Sequence, residues 1–217
     1  MGQVYPLNEF KSINPGSNKA GYAQTGFTLN VDGDYFLHNR FSVSLRIHFG
    51  NAPINLSIFK DRLNNELKAY ISANDTVQYD INYWQWVSPL IGCKYNYPII
   101  LNKVYVEAGI FTGVNFIQIP NQNLVFNDKA NKQSIISRNI GNSDISLPFA
   151  LNAGVRFKIN ESVQLKVNAE YFQTKASFNH KSYISKEGST ENTPITEYQF
   201  NVPIQTLDAS IGLVYSF

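Results

Sequence analysis

The sequence predicts an all-β protein, an eight-stranded antiparallel up-and-down transmembrane β-barrel with a short first strand and a short helix in one extracellular loop. The C-terminal segment is the first reason. Leu207, Ala209, Ile211, Leu213, Tyr215 and Phe217 alternate with Asp208, Ser210, Gly212, Val214 and Ser216, ending on an aromatic residue. A period of two places the first set on one face of a strand and the second on the other. Composition is the second reason. Aromatics make up 14% and charged residues 16% of the 217 residues, and the mean hydropathy is −0.23. Few charges, many aromatics and no net hydrophobicity suit strands that average an apolar and a polar face. The third reason is that short and long connections alternate along the chain, as they do between the two rims of such a barrel.

The strands read in order as follows. Gln3–Leu7, interrupted by Pro6, is the only candidate for a first upward strand, so its seam with the last strand should be poorly paired. Asn8–Ala20 reads as the first outer loop. Thr25, Phe27, Leu29, Val31 and Tyr35 alternate with Gly26, Thr28, Asn30, Asp32 and Asp34. After a short turn near residue 38, Phe41, Val43, Leu45, Ile47 and Phe49 alternate with Ser42, Ser44, Arg46 and His48. A strand over about Val77–Tyr95 precedes a turn at Asn96-Tyr97-Pro98, and Val104–Phe116 follows it. Phe149–Ile159 and Ser162–Phe178 flank Asn160-Glu161, a tight-hairpin spacing. The connections at about 51–75, 119–143 and 179–197 are long and polar. Within the first, Phe59, Leu63, Leu67 and Tyr70 recur at helical spacing in Leu56–Ser72. The chain is one domain, with residues 1–19 a residual first strand and loop and 20–217 the main barrel.

Sidedness separates a membrane barrel from a soluble, lipocalin-like one. The polar faces carry Asp32, Asp34, Arg46, His48, Lys103, Glu107, Arg156, Lys166, Glu170 and Asp208, interspersed with Gly and Ser. Small residues and charges of both signs fit a narrow lumen closed by ion pairing. The apolar faces then point outward. Tyr35, Phe41, Tyr95 and Phe157 near the short turns, and Tyr83, Trp84, Trp86 and Tyr171 near the long loops, are expected to form aromatic belts at the two interfaces.

Several classes are excluded or disfavoured. No run of about 18 apolar residues exists to make a transmembrane helix. A net charge of +2 without a basic cluster gives no case for nucleic acid. One cysteine, Cys93, allows no internal disulfide and is expected to face lipid. Met1-Gly-Gln-Val-Tyr-Pro shows no signal peptide, so an outer-membrane reading expects a mature chain or a start site that misses the true amino terminus. No cofactor, no metal spacing and no enzyme are expected. Ser177, His180 and Ser182 are the residues that would serve an outer-membrane hydrolase or acyltransferase.

The segments Thr25-Gly-Phe-Thr-Leu-Asn-Val-Asp-Gly-Asp-Tyr-Phe36 and Gly212-Leu-Val-Tyr-Ser-Phe217 resemble the small OmpA/OmpX-like outer-membrane β-barrels, in the version widespread in Bacteroidota. The resemblance spans about residues 20–217 and is one of pattern. It implies an integral, monomeric cell-outer-membrane protein with lipid and lipopolysaccharide as neighbours. It also implies insertion by the barrel-assembly machinery, which would read Leu213, Tyr215 and Phe217, and it brings no catalytic residues. The expected role is structural or surface contact through long loops. A small pore or ligand carrier is the alternative.

Overall fold

The computed structural model describes residues 1–14, 17, 19–55, 57, 76–81, 83–100, 103–120, 122–128, 133–140, 143–186 and 192–216. Its elements are β1 (Gly2–Pro6), α1 (Asn8–Lys11), β2 (Gly26–His38), β3 (Phe41–Pro53), β4 (Thr76–Ile81), β5 (Tyr83–Ile100) and β6 (Val104–Gly113). There follow β7 (Asn115–Gln118), β8 (Gln122–Asp128), β9 (Gln133–Ile140), β10 (Ser143–Ser146), β11 (Phe149–Lys158), β12 (Val163–Lys186) and β13 (Asn192–Tyr215). All described strand pairs are antiparallel.

The pairing runs around a ring of eight strands, β1-β2-β3-β5-β6-β11-β12-β13 and back to β1. The other strands extend one end of it: β7 and β10 continue from β5, and β9, β8 and β4 continue from β12. The polar connections expected at 119–143 and 179–197 are therefore largely strand. β12 and β13 each run 24 residues and pair from Val163↔Tyr215 to Ser185↔Asn192, with one shift at Ser182/Tyr183. Polar, β-branched residues such as Thr193 and Thr196 can extend a ladder without an apolar face, which is why hydropathy missed it. The helix expected over Leu56–Ser72 lies outside the described residues apart from Ser57.

Two connections differ from their sequence reading. β5 does not turn at Asn96-Tyr97-Pro98 but pairs with β6 through Pro98↔Tyr105 to Ile100↔Val104. Its pairing with β3 stops at Phe41↔Tyr95, and Asn96 N donates to Arg40 O. Pro98 shares the parity of Asn96, so its missing N–H falls on the side where β3 no longer offers an acceptor. The segment read as a first outer loop contains α1, where Asn8 (φ 46°) turns the chain over the rim. Phe10 is fully buried, and Glu9 O and Phe10 O accept from Gly21 N and Ala23 N.

Burial follows a period of two around the ring. On β3, Ser42, Ser44, Arg46, His48, Gly50 and Ala52 are buried, while Leu45, Ile47 and Phe49 are exposed. On β12, Asn168, Glu170 and Phe172 are buried and Val167 is 48% exposed. The core of the molecule is the inside of the ring, and it holds the charged residues.

Candidate functional site

Seven of the eight ring strands send ionisable side chains to one interior network: Asp32 and Asp34 from β2, Arg46 and His48 from β3, Lys94 from β5, Glu107 from β6, Arg156 from β11, Lys166 and Glu170 from β12, and Asp208 from β13. Register brings them together: Asp32 faces Arg46 across β2–β3, Arg156 faces Lys166 across β11–β12, and Glu170 faces Asp208 across β12–β13. Arg46 is central. Its Nε and Nη2 donate to Asp32 at 2.6 and 2.8 Å, its Nη1 donates to Glu170, and its guanidinium lies 4.1 Å from the Phe111 ring centroid. Lys94 Nζ reaches Asp32 and Asp34, each at 2.8 Å. Glu107 accepts from Lys166 at 2.5 Å and pairs with Arg156 at 3.2 Å.

Charges removed from water are tolerable only when each has partners. Here most partners come from across the ring and tie its strands together, while Asp208 has only His48 as an ion-pair contact among the described residues. Asn152 adds donors to Glu107 and to Asn168, and Ser44 Oγ donates to Asp34.

His48, Glu170 and Asp208 are buried and each offers a metal-ligand atom within 4.8 Å of the others. Their arrangement opposes a shared ion. Glu170 Oε1 lies 3.1 Å from His48 Nδ1, whereas Asp208 Oδ2 lies 3.7 Å from Nε2, on the other side of the ring. The two imidazole lone-pair directions diverge, and Arg46 already holds Glu170. The imidazole lies between the two carboxylates; its Nδ1 is 2.8 Å from Asn30 Oδ1, while the 3.7 Å from Nε2 to Asp208 is beyond hydrogen-bond reach.

Above the ionic layer the interior is aromatic, and this corrects the expected outer belt. Trp84 and Trp86 are 3% and 1% exposed and share the inward parity of Lys94 along β5. His48 stacks on Phe172 at 4.7 Å, and Trp86 stacks on Phe172 at 6.3 Å. Phe10 of α1 closes the layer edge-on to Trp84 at 5.7 Å and Trp86 at 6.2 Å, and Trp84 Nε1 donates to Gly21 O. Gly50 makes this possible, since a Cβ there would overlap the Trp86 indole. With the ionic layer below, the indoles bury more area inside than at a rim.

The other belt residues do face outward. Tyr35, Phe41, Tyr83, Tyr95 and Phe157 are exposed and Tyr171 is half-buried. Leu213 and Tyr215 are exposed on the outer face of β13, and Phe217 lies outside the described residues. Lys103 does not join the network: it is exposed in the turn before β6. Lys94, which sequence reading left out, takes a central place. Its signal was its parity opposite to Cys93, which is exposed. Ser177 Oγ donates to Asn201 and Ser177 N to Asp144. The side chains of His180 and Ser182 lie outside the described residues.

No protein-family model and no curated protein sequence matches this chain.

Proposed function

We propose that this chain is an integral outer-membrane β-barrel protein with a plugged polar lumen, serving a structural or surface-contact role through its extended loop end. One observation carries the reading: the ring is inside-out for water. Leu45, Ile91, Ile110, Val167, Ile211 and Leu213 are each at least 48% exposed, while Arg46, Lys94, Glu107, Glu170 and Asp208 are at most 2% exposed. An ordinary water-facing surface keeps charges out and avoids large contiguous apolar areas. A band of aliphatic and aromatic side chains around a ring of strands suits acyl chains.

The OmpA/OmpX-like resemblance adds the bacterial outer membrane, with lipid and lipopolysaccharide against the apolar band and assembly machinery reading the strand that ends at Leu213, Tyr215 and Phe217. A monomer suffices, because the ring already surrounds its own core. The ionic and aromatic layers argue for a plug over a pore, and no catalytic role is assigned. Membrane fractionation with a heat-modifiability gel tests the reading. The protein should partition with membranes and migrate differently before and after boiling; recovery as a soluble, heat-insensitive protein would end it.

The pore alternative has one favouring observation, a cavity of about 700 Å³ lined by Asp32, Asp34, Arg46, Glu107, Arg156 and Lys166 among others. Phe10, Trp84, Trp86 and Phe172 are not among its lining residues, and their buried packing supports a plug on the loop side. Planar-bilayer recordings should therefore show no steady conductance, and a stable open level would favour the pore.

A further inference from the structure

The outer wall changes character at one level of β11, β12 and β13. Leu151, Tyr171 and Leu207 share a rung across these strands and face outward. On the next outward rung toward the loop end stand Phe149, Gln173 and Gln205, and beyond them Lys175 faces outward opposite Pro203. A recess of about 690 Å³ opens on this boundary, with Lys19, Leu147, Phe149, Gln173, Lys175 and Asn201 among its lining residues. Lys19 belongs to the connection between α1 and β2, so its two lysines come from distant parts of the chain.

The lysines and amides of the recess all present donors. Neither Lys19 nor Lys175 is in an ion pair among the described residues, whereas Lys181, further along β12, pairs with Glu197 at 3.1 Å. The two amides are turned alike. Gln173 Oε1 accepts from Tyr171 Oη at 2.9 Å, and Asn201 Oδ1 accepts from Ser177 Oγ at 2.9 Å. An amide whose oxygen is engaged offers its NH2 group to a further partner. The acid nearby, Asp144, is taken up by backbone: Oδ1 accepts from Ile145 N and Oδ2 from Ser177 N. No carboxylate is among the described lining residues.

We propose that this recess binds the phosphate headgroup of a lipid whose acyl chains lie down the outer wall along Phe149, Leu151 and Leu207. Two unpaired ammonium groups and two amide NH2 groups select an anion rich in acceptor oxygens, which a phosphate is. The apolar residues select what carries it. Leu147 and Phe149, 81% and 40% exposed, flank the cations, and a free phosphate would leave both in water. An amphiphile covers them while its charge stays at the polar rung, the arrangement by which basic pockets at a membrane surface hold lipid headgroups. The inference rests on the apolar band being the lipid-facing wall, and it names the lipid chemistry at the upper limit of that band.

The test uses the folded protein in neutral detergent micelles doped with equal amounts of phosphatidic acid and phosphatidylcholine of the same chain length. Native mass spectrometry then counts the lipid each protein molecule retains. Phosphatidic acid should be retained over phosphatidylcholine by about tenfold, saturating at one molecule per protein. Lys19→Gln with Lys175→Gln should bring that preference to within about twofold of equality. Lys103→Gln with Lys158→Gln removes the same charge from the turn end and should leave the preference within about twofold of the parent's. Inorganic phosphate in large excess should not displace the lipid. Equal retention of the two lipids, or an equal loss in the two paired variants, would overturn the site. Displacement by inorganic phosphate as effective as by phosphatidic acid would overturn its assignment to a lipid. A heat-modifiability gel on every sample shows which proteins are folded barrels before any lipid is counted, so a failure of the membrane reading is seen there and not mistaken for a failure of the site.

Discussion

Arg46 and Glu170 meet in the driest part of the interior, each at most 1% exposed at its side chain. Removing one partner strands a charge there. Arg46→Met or Glu170→Met alone should destabilise by about 3–5 kcal/mol. The double variant should recover much of that loss, because the orphan charge is gone. Urea unfolding of the refolded protein measures the cycle, and additive losses would show that the two do not act as a pair. At this scale the sequence was largely readable. Parity grouped Asp32, Asp34, Arg46, His48, Glu107, Arg156, Lys166, Glu170 and Asp208 on one set of faces, and the Gly and Ser residues beside them marked those faces as the inner ones. It could not separate Lys103, which the β5–β6 turn lifts out, from Lys94, because the strand's end depended on which side of Pro98 had lost its neighbour.

Elements show where hydropathy misleads. By their place near a strand end the tryptophans of β5 read as an interfacial belt, where aromatic residues are common. Their parity said inward, and the structure follows parity. The aromatic layer needs a lid, and α1 supplies Phe10, from a segment too short and too polar to announce a helix. Both tryptophans of the chain sit in this layer. Their emission should therefore be blue-shifted and insensitive both to brominated acyl chains and to aqueous acrylamide. Phe10→Ala should raise acrylamide quenching and destabilise by about 3–5 kcal/mol. Strong quenching of the parent protein by brominated lipid would return the tryptophans to the belt.

The whole molecule combines a ring that excludes nearly all charge from its outer wall with a loop end where β12, β13, β9, β8 and β4 continue outward as sheet. Seven of the ring strands and their apolar faces were legible from alternation, since a period of two survives whatever the strands enclose, and the eighth followed from the even number such a ring needs. The extension was not, because its polar residues carry no alternation to read. The short β1 was legible from Pro6 and the brevity of its segment, but the expected weak seam with the last strand does not hold: all five residues of β1 pair with β13, and it is β2 that meets only Gly2–Val4.

The ionic interior, the aromatic layer and the apolar outer wall all depend on sidedness, and β12 offers the cleanest place to measure it. Spin labels placed singly at residues 165 to 170, in a Cys93→Ala background reconstituted into lipid vesicles, report oxygen and nickel-chelate accessibility position by position. Labels replacing Leu165, Val167 and Ala169 should be open to lipid-dissolved oxygen and closed to the chelate. Labels replacing Lys166, Asn168 and Glu170 should be shielded from that oxygen. The opposite phase, or free access of the chelate to 165, 167 and 169, would contradict the account.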